Sequence, residues 1–204
     1  MILTCIEKLM IRLLLLASIL LLPHVAFAEC RWSVDKDRIE VTVTGYKFSE
    51  KTGVSGKLPG IVIAGPAEGV TSTGLLQKTS FTIDARSINS GDATRDKNLR
   101  ETFIATMKSP FITGKILKAA ARSRLVAEVT MHGITKEVAF NYQININKKL
   151  TVTGRINVLD FALQPALSSL AKRCAALHTG PDGISKTWPT IDIVVTAQLR
   201  ENCR

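Results

Sequence analysis

Residues able to carry chemistry are scarce in this chain. Of its 204 residues, three are histidine and four are cysteine, and aromatics make up 5%. His24 lies in an N-terminal segment that reads as a targeting signal, which leaves His132 and His178. Cys174 and His178 are four apart, a spacing that can set two metal ligands or a nucleophile and its base on one helix face. No second Cys/His pair completes a tetrahedral set. No glycine-rich phosphate loop, serine elbow or acid pair at a recognisable spacing is present. The sequence therefore gives no expectation of an enzyme, a metal centre or a resident cofactor. Nor is there a Lys/Arg run longer than two, and few aromatics lie between the basic residues. The net charge of +10 thus does not point to nucleic acid; it suits solubility or attraction to anionic lipid headgroups.

Long hydrophobic runs are also missing, apart from one. Lys8 and Arg12 precede the apolar stretch Leu13–Leu22, and Ala26-Phe27-Ala28 supplies small residues at positions −3 and −1 of a cleavage site. A spanning helix needs about 20 apolar residues, so residues 1–28 read as a signal peptide, with a retained anchor as the rival reading. Glu29 precedes Cys30 where a lipid-modified cysteine wants a small residue. The expectation is a periplasmic or secreted protein whose domain is residues 29–204. Export permits disulfides. Cys30 and Cys203 stand at the two ends of that domain and would staple it if the first and last strands are neighbours; Cys174–Cys203 is the alternative pairing.

What is abundant is alternation with period two. Val138, Phe140, Tyr142, Ile144 and Ile146 share one face, against Glu137, Asn141, Gln143 and Asn145. Val152, Gly154, Ile156 and Val158 follow the same rule. So do Leu125, Ala127, Val129 and Met131, then Ile191, Ile193, Val195, Ala197 and Leu199, and earlier Val41, Val43, Phe81, Ile83 and Ala85. Strands with one apolar and one polar face build antiparallel sheets. His132-Gly133, Asn147-Lys148-Lys149, Gly53, Gly56 and Pro59-Gly60 supply the turns.

Two interruptions are helical. Asp92 is a good N-cap for a helix over about Ala93–Met107, with Leu99, Phe103 and Met107 on one face and Ser109-Pro110 ending it. A second helix is predicted over Pro165–Leu177, striped by Leu167, Leu170, Cys174 and Leu177. About eight strands with two short helices, in a mainly β chain, close best as a barrel, because closure removes exposed edges and a bare apolar face.

Three stretches carry a resemblance. They are Arg95-Asp96-x-x-Leu99-Arg100 within the segment from Ser87, His132-Gly133-Ile134-Thr135-Lys136 within Val129–Val138, and the Phe48…Gly53…Gly56 hairpin. Together they resemble the YceI-like family of exported bacterial proteins across about Trp32–Leu199. Asn98 departs from the pattern, since members often have His before Leu-Arg. The resemblance implies a lipocalin-like antiparallel β-barrel that binds polyisoprenoid lipids or isoprenoid quinones. The candidate lining is the inward face: Val43, Phe81, Ile83, Val129, Met131, Phe140, Tyr142 and Ile144, then Ile156, Val158, Ile193 and Val195. Leu99 and Phe103 join it from the first helix, and Gly45 and Gly154 leave room. The expected partners are an isoprenoid lipid or quinone and a transient membrane contact, with homodimerisation open. The alternative reading is a stress-induced structural or partner-binding protein whose barrel is filled and holds no ligand. Arg95 is expected to pair with Asp84 or Asp96 and pin the helix across the barrel mouth, and His132-Gly133 to be a turn.

Overall fold

The computed structural model describes residues 29–77, 79–120 and 123–203. The predicted signal segment, residues 1–28, lies outside them.

Nine strands form one antiparallel sheet. They are β1 (Cys30–Lys47), β2 (Thr52–Lys57), β3 (Ile61–Ala64), β4 (Ser80–Asp84), β5 (Phe111–Ala120), β6 (Arg124–Met131), β7 (Ile134–Ile144), β8 (Lys149–Asn157) and β9 (Thr190–Cys203). The spatial order is β2-β1-β9-β8-β7-β6-β5-β4-β3. The sheet is strongly curled, and its apolar faces meet in the interior, as the alternation requires. The two outermost strands, β2 and β3, do not pair with each other. The curl is instead stitched by isolated bridges: Lys57, at the end of β2, and Asn89 exchange two backbone bonds, at 2.8 and 2.9 Å. Trp32 and Gly69 exchange two further backbone bonds, at 2.7 and 2.8 Å.

First and last strands are neighbours from Asp192 to Cys203, nearly the whole of β9. Their register sets Cys30 directly opposite Cys203, and a disulfide joins the two. Cys174 is free and buried.

Three helical insertions cap the ends of the curl. The short α1 (Ser72–Leu76), which the sequence reading missed, is N-capped by Thr71 and buries Leu75 and Leu76. It closes the end where β1 begins. At the other end lies α2, which starts at Ala93 under the Asp92 cap, as the sequence predicts. It is not uniform: Ala93–Asn98 is α-helical, Leu99–Phe103 widens to a π turn and Ile104–Thr106 tightens to a 3₁₀ turn. The Thr102 and Thr106 hydroxyls take the carbonyls of Asn98 (2.6 Å) and Thr102 (2.5 Å), and such back-bonding competes with the regular ladder. The third insertion, α3 (Gln164–Arg173), has Pro165 in its first turn. It stops four residues before the predicted end and is followed by a separate turn at Ala176–His178.

Glycine at two inward positions is a packing requirement. A Cβ on Gly114 would stand 2.3 Å from the Phe81 ring, and one on Gly154 at 2.3 Å from the Phe140 ring. The room expected at Gly154 is therefore occupied by Phe140. Gly45 is different: a Cβ there meets nothing within 4 Å.

Candidate functional site

Inside the curl are two adjoining cavities. The lower, of about 210 Å³, is walled by strand side chains, including Val41, Phe81, Ile83, Val129, Phe140, Ile156, Ile193 and Val195. Thr79 is the only residue in its wall with a polar side chain. The upper cavity, of about 430 Å³, lies beneath α2 and α3 and is walled by Leu99, Phe103, Ile104, Val158, Leu167 and Trp188, among others. Val43, Leu58, Ile112, Met131 and Ile191 line both and form the girdle between them. Met131, unbranched and flexible, is the residue of that girdle best able to yield to a passing chain.

Most of the predicted lining is brought together here. Phe81, Ile83, Val129, Phe140, Ile156, Ile193 and Val195 face the lower cavity. Leu99, Phe103 and Val158 face the upper, and Val43 and Met131 face both. Tyr142 and Ile144 line neither. The end of β7 runs past the floor, where buried Tyr142 donates its hydroxyl to the Ala120 carbonyl at 3.0 Å and Ile144 pairs with Leu150. Ile146, on the same predicted face, has left the sheet in the Asn145–Lys149 turn and is 91% exposed. Leu58, Ile112 and Trp188 were not foreseen. Leu58 sits among turn-forming residues, and Ile112 opens a strand whose alternation is broken by a register shift between Ile116 and Lys118.

Apart from Thr79, the polar wall residues belong to the upper cavity. Its wall includes Lys47, Ser90, Arg95, Asn98, Cys174 and His178. His178 Nδ1 is engaged by the Thr187 hydroxyl at 2.7 Å. Burial, and then the charge of Lys47, lower the His178 pKa, so the imidazole is neutral at neutral pH. Burial raises the Cys174 thiol, with a smaller opposing effect from its hydrogen bond to Asn98. A neutral thiol near a neutral imidazole is a weakly polar wall, not an activated nucleophile. Among the described residues, the grouping closest to a metal site is Cys30, Glu201 and Cys203, and both of its sulfurs are committed to the disulfide.

Apolar strands thus enclose a ligand-sized cavity with one polar end, and sequence comparison identifies the design. Residues 32–196 match the YceI-like domain. The chain belongs to the YceI-like family. No curated relative matches it in sequence. Its fold is similar to that of a polyisoprenoid-binding domain from Saccharophagus degradans, at 14% identity over 82% of this chain and 96% of that one, with a TM-score of 0.57. It is also similar to BcnA of Burkholderia cenocepacia, at 14% identity over 82% and 99% of the two chains, with a TM-score of 0.54.

In this YceI-like chain both quoted motifs hold α2 in place. Asp96 is buried and accepts from the Ser90 N–H (2.9 Å) and hydroxyl (2.6 Å). Arg95 pairs with Asp92 at 3.5 Å and reaches the Ser90 carbonyl, while Asp84 is taken by Arg86; neither expected partner of Arg95 is used. Arg100 reaches the Ile88 carbonyl. His132 and Gly133 both adopt positive φ, 55° and 77°, and close a two-residue hairpin loop. His132 Nδ1 accepts from the Lys108 N–H at 2.9 Å, tying the end of the α2 segment to the β6–β7 hairpin.

Proposed function

We propose that this YceI-like protein is an exported carrier of a long-chain isoprenoid lipid, a polyisoprenoid or an isoprenoid quinone, with its tail held in the two cavities. The observation that carries the reading is the lower wall, in which Thr79 alone interrupts an apolar surface assembled from all but one of the strands. Such a wall offers a tail no hydrogen bond and asks none of it. It selects for length and apolarity. Burying roughly 400 Å² of tail contributes about 10 kcal/mol at 25 cal/mol per Å², before the entropy of association is subtracted. The upper cavity falls in the size range of small-ligand sites. Its Asn98, Lys47 and His178 give a polar headgroup somewhere to rest, so the ligand lies tail down.

Two further considerations support the reading. The structurally similar Saccharophagus degradans protein is described as a polyisoprenoid-binding domain. The Cys30–Cys203 disulfide suits an oxidising compartment, in keeping with the Lys8–Ala28 signal pattern.

Organic extraction of the purified protein followed by mass spectrometry tests it. An isoprenoid in near-stoichiometric yield is the expected result. Straight-chain fatty acids only, or no lipid together with a melting temperature that ignores added ubiquinone and polyprenol, would overturn the carrier reading.

A further inference from the structure

Around the upper cavity, two segments form one rim. The end of β1 with the β1–β2 turn (residues 46–51) and the stretch from Ala176 to Trp188 are sewn together by backbone and side-chain bonds. Phe48 N–H donates to the Lys186 carbonyl (3.1 Å) and Trp188 N–H to the Tyr46 carbonyl (3.0 Å). Trp188 Nε1 donates to the Phe48 carbonyl (2.8 Å) and Lys47 Nζ to the Leu177 carbonyl (3.3 Å). Lys47, Leu177 and Trp188 belong at once to the rim and to the cavity wall.

The composition of this rim is particular. Lys186 lies over the Trp188 ring at 3.9 Å, and Lys51 lies between Trp188 (5.2 Å) and Tyr46 (5.0 Å). Lys47 lies over Phe48 at 4.4 Å. None of the three lysines is within ion-pair distance of a carboxylate among the described residues. Beside them Leu177 and Ile184 are 58% and 55% exposed. Three acids are near: Glu50; Asp182, which feels the charge of Lys186 but is turned back onto the Ile184 N–H at 3.0 Å and Ser49; and Asp192, which feels Lys51 but is held by Arg155 and Tyr46.

We propose that this rim docks on an anionic phospholipid surface, seating the cavity against the bilayer so that lipid passes between the two without crossing water. Aliphatic tips, amphipathic aromatics at headgroup depth and unpaired lysines are the three contributions that interfacial binding requires. The opposite end of the fold also exposes aliphatic tips, Ile146 and Val70, but the lysine beside its tryptophan is paired and the interior behind it is closed. Lys148 there lies over Trp32 but is bound by Glu201, and Leu75 and Leu76 seal the interior behind it.

The proposal rests on the carrier reading for its purpose but is tested without any isoprenoid. The chain has two tryptophans, one at each end. Trp32→Phe therefore leaves Trp188 as the reporter, and Trp188→Phe leaves Trp32. With vesicles of phosphatidylcholine and phosphatidylglycerol in equal parts, the expected result is co-sedimentation with a blue shift of Trp188 and none of Trp32. Lys51→Gln with Lys186→Gln should weaken partitioning about thirtyfold, the effect of two lysines at an anionic surface. Leu177→Ser with Ile184→Ser, at exposed positions that leave the fold intact, should weaken it too. Vesicle binding that ignores both pairs of substitutions, equal shifts from the two tryptophans, or no binding at all would overturn docking. So would lipid-free dimerisation that Ile184→Ser abolishes, which would make a second copy the occupant. If isoprenoid is still extracted from the protein in any of these cases, only the docking fails and the carrier reading stands.

Discussion

The two ends of the curled sheet are held by opposite means. The lower end is fixed by a covalent tie and long-range contacts: the Cys30–Cys203 bond spanning 173 residues, the Trp32–Gly69 bridge and the buried leucines of α1. The upper end, around the larger cavity, is held without a covalent tie among the described residues, by polar bonds such as those of Ser90 to Asp96 and of Lys108 to His132 and by the burial of Ile104, Phe161 and Leu163. An interior that must admit a lipid needs one end that does not open and one that opens cheaply. The difference assigns stability to the floor and function to the mouth, and it can be tested by breaking each in turn.

The largest effect is expected at the floor. Replacing Cys30 and Cys203 by serine should cost about 2–5 kcal/mol, seen as a fall in melting temperature on the order of ten degrees. Lipid recovered per folded protein should not change, because neither residue touches a cavity. A variant that keeps its melting temperature but loses lipid would reverse the assignment of roles.

The converse experiment is at the mouth. Gly45 continues the inward face of Val41 and Val43, and a side chain built there meets nothing. Gly45→Phe should project its ring into the upper cavity. Displacing roughly 60 Å² of tail contact corresponds to about 1.5 kcal/mol, or a tenfold loss of affinity. The melting temperature of the lipid-free protein should hold or rise. Binding assays with a fluorescent polyprenol, read beside thermal melts, separate these outcomes.

How far all this was legible in the sequence follows from what each segment had to do. β6, β7, β8 and β9 pair evenly and bury one face, so their alternation passed directly into the structure. β5 carries Ile112, Ile116 and Ala119 inward, but the register shift after Ile116 puts the last of these out of phase, and the strand was not seen. α1 is only five residues long, too short for a helical period to show. The cavity wall could be read because it is made of strand faces. The rim and the girdle residue Leu58 could not, because loops bring them together and no period links them. The partners of Arg95 were misjudged for a related reason: Asp92 and Ser90 are near neighbours in the chain, and local caps prevailed over the longer reach to Asp84.

A smaller contrast lies at His132. His132→Ala removes the acceptor for Lys108 N–H and leaves an alanine in a left-handed conformation, φ 55°. The lost bond should cost about 1 kcal/mol, whereas the left-handed strain, about 1 kcal/mol, is one that histidine already bears and only glycine relieves. His132→Gly loses the bond but not the conformation, so it should be the milder by about 1 kcal/mol in chemical denaturation. Both variants should retain lipid. Loss of lipid in both would move His132 from the hairpin turn into the binding site.

The smallest effect is a matter of pH. Asp192, on the upper part of β9, accepts from Arg155 (2.5 and 2.9 Å) and from the Tyr46 hydroxyl (2.5 Å). The Arg155 bond first, and then the Tyr46 bond, pull its pKa from 3.8 to about 2. A carboxylate depressed in the folded state stabilises it above the unfolded value, and that contribution fades as pH falls from about 4 towards 2. The group is near the surface, with 31% of its side chain exposed, so the contribution should stay under about 1 kcal/mol. Asp192→Asn should therefore lower the melting temperature slightly at neutral pH and flatten its decline between pH 4 and 2. Amide protection in wild-type protein, taken relative to the intrinsic exchange rate at each pH, should be lost first near Tyr46, Arg155 and Asp192, and last beside the disulfide. Protection lost at both ends together would mean that the sheet opens as one unit and that the division between floor and mouth is not an energetic one.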